Sequence, residues 1–387
     1  MPSTITTQSK NTKQPNTESK PNEVTQYYYP DPVSQQVIQQ WLFMDLLPWQ
    51  QPTWQYLTTH LHALPHAMLF AGNAGTGKRA FVYRFVAWAF CENQRNNAQS
   101  ITTACGQCQS CQWLIANTHP DLYQIPTPTV ARDASPKSKA NNTLMAQAPT
   151  HQSGYSIKID EIRELQPFVT QSSGGLRIVV IHQADAMTLA ASNALLKTLE
   201  EPAENVLMLL ISDSPSQLLP TIRSRLQAFS VSHVTPVQSM QAMQQLLPNT
   251  DTATLQQVSE LSGYAPFLAL QMLHSEWYQH RQTWINSFQA VRSGQRTPVQ
   301  ASNYWQKTLT LTDFLYLSQA LLVPLGQFAV DISASSSDLD FGKLQPAPTL
   351  KQISQLQQVI DQIWQDRQQH IQDKLCYDKI FSTMLDC

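Results

Sequence analysis

The sequence predicts an α/β fold built on a parallel sheet and followed by a wholly helical region. Three observations predict it. Apolar runs at 67–70, 178–181 and 206–211 lack the polar alternation of a half-exposed strand, and helical patterns lie between them. Such runs indicate a sheet covered on both faces. A glycine-rich turn joins the first run to a helix, and beyond about Ser232 only helical spacing remains.

Each element follows from its residues. Residues 1–25 are rich in Ser, Thr, Asn, Gln and Lys and are expected to form a disordered tail. Order is expected from near Tyr27 and is firm by Leu46-Leu47-Pro48-Trp49. Ala67-Met68-Leu69-Phe70 is a buried strand, and residues 72–78 form a loop. Phe81, Val82, Phe85, Val86, Ala89 and Phe90 then repeat at helical spacing. A polar stretch at 127–156 carries neither period and is expected to be an insertion loop. Residues 160–169 form a helix with Ile162 and Leu165 inward. Residues 178–181 form a strand, 190–201 a helix stopped by Pro202, and 206–211 a strand. The expected domains are then 26–232, short helices over 233–275 with breaks near Pro248-Asn249 and at Gly263, and a helical region over 276–387. In the last, Ile353, Leu356, Ile360, Ile363 and Trp364 make one apolar stripe.

Composition narrows the function classes. The 387 residues call for two or three domains. Hydrophobic residues at 42% exclude a mainly disordered chain. A net charge of −2, from 25 basic and 27 acidic residues, excludes a histone-like polycation. Any nucleic-acid contact must then come from a local patch or through a partner. No apolar run approaches bilayer length, and the polar N-terminus lacks the apolar core of a signal peptide. A cytosolic chain with reduced thiols is expected, so its six cysteines read first as ligands or spectators.

Gly72-Asn73-Ala74-Gly75-Thr76-Gly77-Lys78 follows a strand and opens a helix, as a phosphate loop must. Glycines let backbone N–H groups turn toward phosphates, and the helix N-terminus adds its positive end. Lys78 is the residue that would reach the terminal phosphates. The parts for hydrolysis are missing. Position 79 calls for a hydroxyl on Mg²⁺ but holds Arg79. The strand at 178–181 calls for a following acidic pair but leads into His182-Gln183. Mg²⁺ prefers oxygen ligands, and Gln183 cannot take a proton from water. Asp185 is the one carboxylate nearby, and helix capping is its expected role ahead of that of a shifted metal ligand. Nucleotide binding stays open on this reading, whereas hydrolysis by this chain alone is not expected.

Cys105, Cys108 and Cys111 form a CxxCxxC run, with Cys91 upstream at the end of the first long helix. Four thiolates suffice for a closed tetrahedral zinc site. An iron–sulfur run calls for another Cys followed by Pro, but position 115 is Ile115. Cys376 and Cys387 stand apart, as a buried thiol and a terminal one. Ser224 and Arg225 follow the strand at 206–211. From the chain alone, Arg225 reads as a solvated residue or half of a local ion pair.

At this point the chain resembles the bacterial clamp-loader AAA+ family. The residues that carry the resemblance are Asn193-Ala194-Leu195-Leu196-Lys197-Thr198-Leu199-Glu200-Glu201-Pro202, the four cysteines, Thr118-His119-Pro120-Asp121 and Ser224-Arg225. By motif it covers roughly residues 45–275. Within that family His182-Gln183, Arg79 and Pro266, which stands where active members place a sensing Arg, are similar to the non-hydrolysing branch. So are Leu47-Pro48-Trp49 and Pro65-His66-Ala67. The resemblance implies an AAA+ P-loop domain with a zinc module, a small helical lid and an all-α collar. It implies a rigid stator in a five-subunit ring that loads a sliding clamp on primed DNA, with tau/gamma and delta subunits as partners. It implies that Arg225 enters a neighbour's ATP site as a finger, with Ser224 supporting it, and so reverses the reading of Arg225 from the chain alone. Two alternatives stand beside it: an ATP-hydrolysing tau/gamma-like chain, and a zinc-containing DNA-binding adaptor with a vestigial P-loop. For Lys197, Glu200 and Glu201 an exposed ion-paired face and a subunit interface both remain open, while Leu195, Leu196 and Leu199 read as core.

Overall fold

The computed structural model describes residues 42–96, 103–125, 156–170, 174–330, 346–366 and 372–386. The polar tail at 1–25, nearly all of the polar stretch at 127–156, and Cys387 lie outside them.

Five strands form one parallel sheet: β1 (Ala67–Ala71), β2 (Leu122–Ile125), β3 (Arg177–Ile181), β4 (Val206–Ser212) and β5 (Gln227–Ser230), in the order β2-β3-β4-β1-β5. Strand alternation sorts the apolar residues onto two faces. Met68, Phe70, Ile178, Val180, Leu209 and Ile211 pack with Trp54, Phe81 and Phe85 on one side. Leu69, Val179, Ile181, Met208 and Leu210 pack with Ile162, Leu165, Leu195 and Leu199 on the other. The helix Lys78–Phe90 is buried on every side, because the sheet, Trp54 and the cysteine segment enclose it. Each fully buried Phe there contributes roughly 1.5–3 kcal/mol.

The strands at 67–70, 178–181 and 206–211 appear within one residue of their expected ends. β2 and β5 are additions. β5 is a largely exposed edge strand, so its sequence carries no apolar pattern. In β2 a buried Gln124 interrupts the apolar run.

From Pro236 onward the described residues are helical. Thr235-Pro236 and Thr297-Pro298 each start a helix with the same local chemistry. The Thr hydroxyl accepts from the backbone of Gln238 or Gln300, and that Gln side chain caps in return. Such caps are worth about 1 kcal/mol each. The breaks at Pro248-Asn249 and Gly263 separate the helices Pro236–Leu246, Thr252–Leu261 and Pro266–His274. Trp284, Trp305, Phe314, Tyr377 and Phe381 centre the helical core, and Ile353, Leu356, Ile360, Ile363 and Trp364 all join it. Cys376 is buried there as well. No single helix among the described residues is long and apolar enough to cross a membrane.

Candidate functional site

The carboxyl-terminal ends of β1, β3 and β4 bring together Gly72, His182 and Asp213. Ligands of open parallel sheets bind at that edge. Gly75 and Gly77 have φ of 74° and 87°, the left-handed region that favours glycine. Space demands glycine too. A Cβ on Gly75 would sit 2.6 Å from the Leu268 backbone nitrogen, and one on Gly77 would sit 2.7 Å from the Phe267 ring.

Lys78 is fully buried within this loop. Its Nζ meets Asp213 Oδ1 at 2.6 Å and donates to Gly72 O at 2.7 Å and Asn73 O at 2.6 Å. An ammonium has three N–H donors, and these three oxygens use them all. Burial pulls the Lys78 pKa down and Asp213 pulls it back up. The loop carbonyls are engaged as well. Trp49 Nε1 donates to Thr76 O, Gln50 Nε2 donates to Gly77 O, both at 3.2 Å, and Phe267 N donates to Gly75 O at 3.0 Å. Leu47, Trp49, Ala242 and Phe267 make a small apolar cluster beside the loop. The cavity bordering Asn73 and Thr76 has about 280 Å³. Ordinary small-molecule pockets span roughly 300–1,000 Å³.

Beneath the loop lies a neutral polar chain. Gln124 Nε2 donates to Asn117 Oδ1 at 2.9 Å, which turns Gln124 Oε1 toward the Tyr83 hydroxyl. Tyr83 has one proton and donates it to Gln124. His182 Nε2, 2.6 Å from the same hydroxyl, is therefore the protonated nitrogen and donates to it. Burial, with Arg79 nearby, lowers the His182 pKa to about 3. Where a metal-binding carboxylate would stand, the chain places a neutral imidazole beside a buried guanidinium. Asp185 differs from expectation. The helix Leu189–Glu200 is capped by Thr188, whose Oγ1 accepts from Ala191 N. Asp185 instead accepts from Asp213 N at 3.3 Å and so ties the ends of β3 and β4 together.

The four cysteines converge. The sulfurs of Cys91, Cys105, Cys108 and Cys111 lie within 4.8 Å of one another, with Cys105 and Cys111 3.9 Å apart. Tetrahedral Zn–S bonds of ~2.3 Å place sulfurs roughly 3.8 Å apart, so the cluster can hold a metal ion. Backbone N–H groups serve the sulfurs: Cys105 N donates to Cys91 Sγ at 3.4 Å, and Cys108 N to Cys105 Sγ at 3.3 Å. Burial opposes ionisation of Cys105, but the N–H groups of Gln107 and Cys108 outweigh it and draw the thiol down to about 6. Burial raises Cys91 and Cys111. A bound cation would bring all four into the thiolate form. His119 braces the module. Its Nδ1 accepts from Asp121 N, so its Nε2 donates to Ser110 Oγ at 2.9 Å, and its ring stacks on Phe90 at 4.1 Å.

Arg225 lies at the other edge of the sheet. It follows the short helix Pro220–Arg223 and precedes β5. In a parallel sheet every strand starts at the same edge, so Arg225 sits on the order of 15 Å from the phosphate loop. Its Nη2 meets Glu200 Oε1 at 2.6 Å, and its Nη1 donates to Thr221 O at 2.9 Å and Ser224 Oγ at 3.4 Å. The side chains of Arg225 and Glu200 are 36% and 48% exposed, and pairs of that kind are worth about 0–1 kcal/mol. The structure thus gives Glu200 an ion-pair partner, while Leu195 and Leu199 are buried core.

Sequence reasoning passed over Asp213, Gln124 and Phe267. A carboxylate directly after a buried strand was the one available signal for Asp213; the other two depend on tertiary packing.

The family profile described as "DNA polymerase III, delta subunit" matches residues 49–235. The DNA polymerase III subunit delta′ of Pseudomonas aeruginosa is 34% identical over 244 residues, covering 62% of this chain and 65% of that protein. The delta′ subunit of Escherichia coli is 28% identical over 240 residues, covering 61% of this chain and 63% of that protein. The chain therefore spans somewhat under two thirds of the length of these relatives. The Bacillus subtilis tau subunit is 28% identical over 172 residues, covering 44% of this chain and 25% of that protein. Over about 60% of its length this chain, with its parallel sheet and glycine loop, is similar in sequence to DNA polymerase III delta-prime subunits.

Proposed function

We propose that the chain is a non-hydrolysing, delta-prime-like subunit of a clamp loader. It helps a ring of subunits place a sliding clamp on primed DNA, and it supplies Arg225 to the ATP site of a tau/gamma-type neighbour. A delta-type subunit is the other expected partner. The observation that carries this reading is the sealed Lys78: its three donors are taken by Asp213 and two loop carbonyls. Arg79, His182 and Gln183 replace the metal-binding and water-activating groups. Arg225, far from that loop, faces outward.

In this reading residues 26–232 are the AAA+ domain, 233–275 a lid clamped on the loop through Phe267, and 276–387 a collar. Gly75 and Gly77 lie against Leu268 and Phe267 of that lid, where the loop would otherwise meet a nucleotide, while Gly72 and Lys78 bond to each other beneath it. Zinc is the proposed metal of Cys91, Cys105, Cys108 and Cys111, with a structural role, since four thiolates leave no open position. Metal analysis of the purified chain tests it: one zinc per chain, lost in Cys108→Ser.

Calorimetric titration of the purified chain with ATP and Mg²⁺ tests the central observation. The reading predicts no binding at millimolar nucleotide and no turnover. Turnover would favour the tau/gamma-like alternative.

A further inference from the structure

We propose that Glu200 is the positioning residue for Arg225. Its carboxylate holds the guanidinium in the outward pose that meets an anionic group on a neighbouring chain. The inference rests on the reading of Arg225 as a finger.

The brace has two kinds of support. Thr221 and Ser224 belong to the same short segment as Arg225 and move with it. Glu200 does not. It is 25 residues away and ends the helix Leu189–Glu200, which is anchored in the sheet core by Leu195 and Leu199. The backbone that carries the carboxylate is therefore fixed relative to the sheet, and the carboxylate holds the guanidinium in turn. A half-exposed pair adds little to stability. What it supplies is aim, because an unbraced Arg spreads over many rotamers. Glu200 takes one N–H of Nη2, and Thr221 and Ser224 take the two of Nη1. A guanidinium has five N–H donors, so Nε and the second N–H of Nη2 remain for phosphate oxygens.

The test uses the complete complex, reconstituted from this chain with tau/gamma-type and delta-type subunits, clamp and primed DNA. Assembly is checked by size exclusion. Stimulated ATP hydrolysis is measured for wild type, Glu200→Ala, Glu200→Gln, Arg225→Ala and the Glu200→Ala/Arg225→Ala double variant. Misplacing a reacting group by about 1 Å costs up to about 100-fold. Glu200→Ala is expected to lower kcat about 10-fold or more, with KM for ATP nearly unchanged. Glu200→Gln keeps an acceptor oxygen and is expected to restore most of the rate. In the Arg225→Ala background, Glu200→Ala is expected to do nothing further. A Glu200→Ala complex at full rate beside an impaired Arg225→Ala complex overturns this inference alone. So does a Glu200→Ala loss that persists without Arg225. An assembled Arg225→Ala complex at full rate overturns the finger reading, and the inference with it.

Discussion

Lys78 and Arg225 are both cations at motif positions, and the fold treats them in opposite ways. Lys78 is fully buried and meets three oxygens of its own chain within 2.7 Å. Arg225 keeps a third of its side chain exposed and has N–H groups to spare. The glycine loop is closed by Phe267, Leu268 and Trp49, whereas Arg225 stays exposed toward the opposite edge of the sheet. A charge satisfied internally is a structural part. A charge that is braced but still solvated can act on something else.

Removing each cation separates the two. Lys78→Met leaves Asp213 without its ammonium at a buried position. Breaking such a pair costs about 3–5 kcal/mol, read as a lowered urea midpoint, and Asp213→Asn is expected to recover part of the loss. If Lys78→Met is as stable as wild type, the loop is not a structural part and the contrast fails.

The polar chain under the loop sharpens the comparison through pH. His182 has a folded pKa of about 3, against an ordinary value of 6.5. Between those values the unfolded chain binds the extra proton, so stability rises with pH across the window. The contribution is complete above pH 6.5 and is lost as pH falls toward 3, by up to about 1.4 kcal/mol per unit. His182→Phe keeps a ring on Tyr83, which stacks at 5.3 Å, and removes the titrating group. Denaturant midpoints from pH 7 to 5 are expected to fall less steeply in this variant.

The smallest effect belongs to the open edge. Arg225→Ala is expected to shift folding stability by less than about 1 kcal/mol, whatever it does in the complex. A larger loss of stability would make Arg225 a structural residue like Lys78.

Much of this contrast was legible before the fold. The strands at 67–70, 178–181 and 206–211 stand out because strands covered on both faces read as near-continuous apolar runs. The four cysteines are close in sequence, and one helix carries Cys91 to the rest. Arg79, His182 and Gln183 read directly as missing chemistry. Gln124 hid β2, because its partners Tyr83 and Asn117 are supplied by other elements. β5 is exposed and short, so it has no pattern to read. The pairing of Lys78 with Asp213 depends on β1 lying beside β4, which is a fact of topology rather than of motif. Glu200 stood in view, but only the turn that returns Arg225 to it gives it a partner. Asp185 misled for the same reason: Thr188 was the better cap, and the carboxylate was committed across the sheet.

The most direct test of the account is stimulated ATP hydrolysis by the reconstituted complex, with wild type compared against Arg225→Ala after both are shown to assemble. An arginine finger is worth roughly 10³–10⁵ in rate. The account predicts a loss on the order of 10³-fold or more, from a residue that lies far from its own chain's phosphate loop. Hydrolysis at the wild-type rate in an intact Arg225→Ala complex would contradict it.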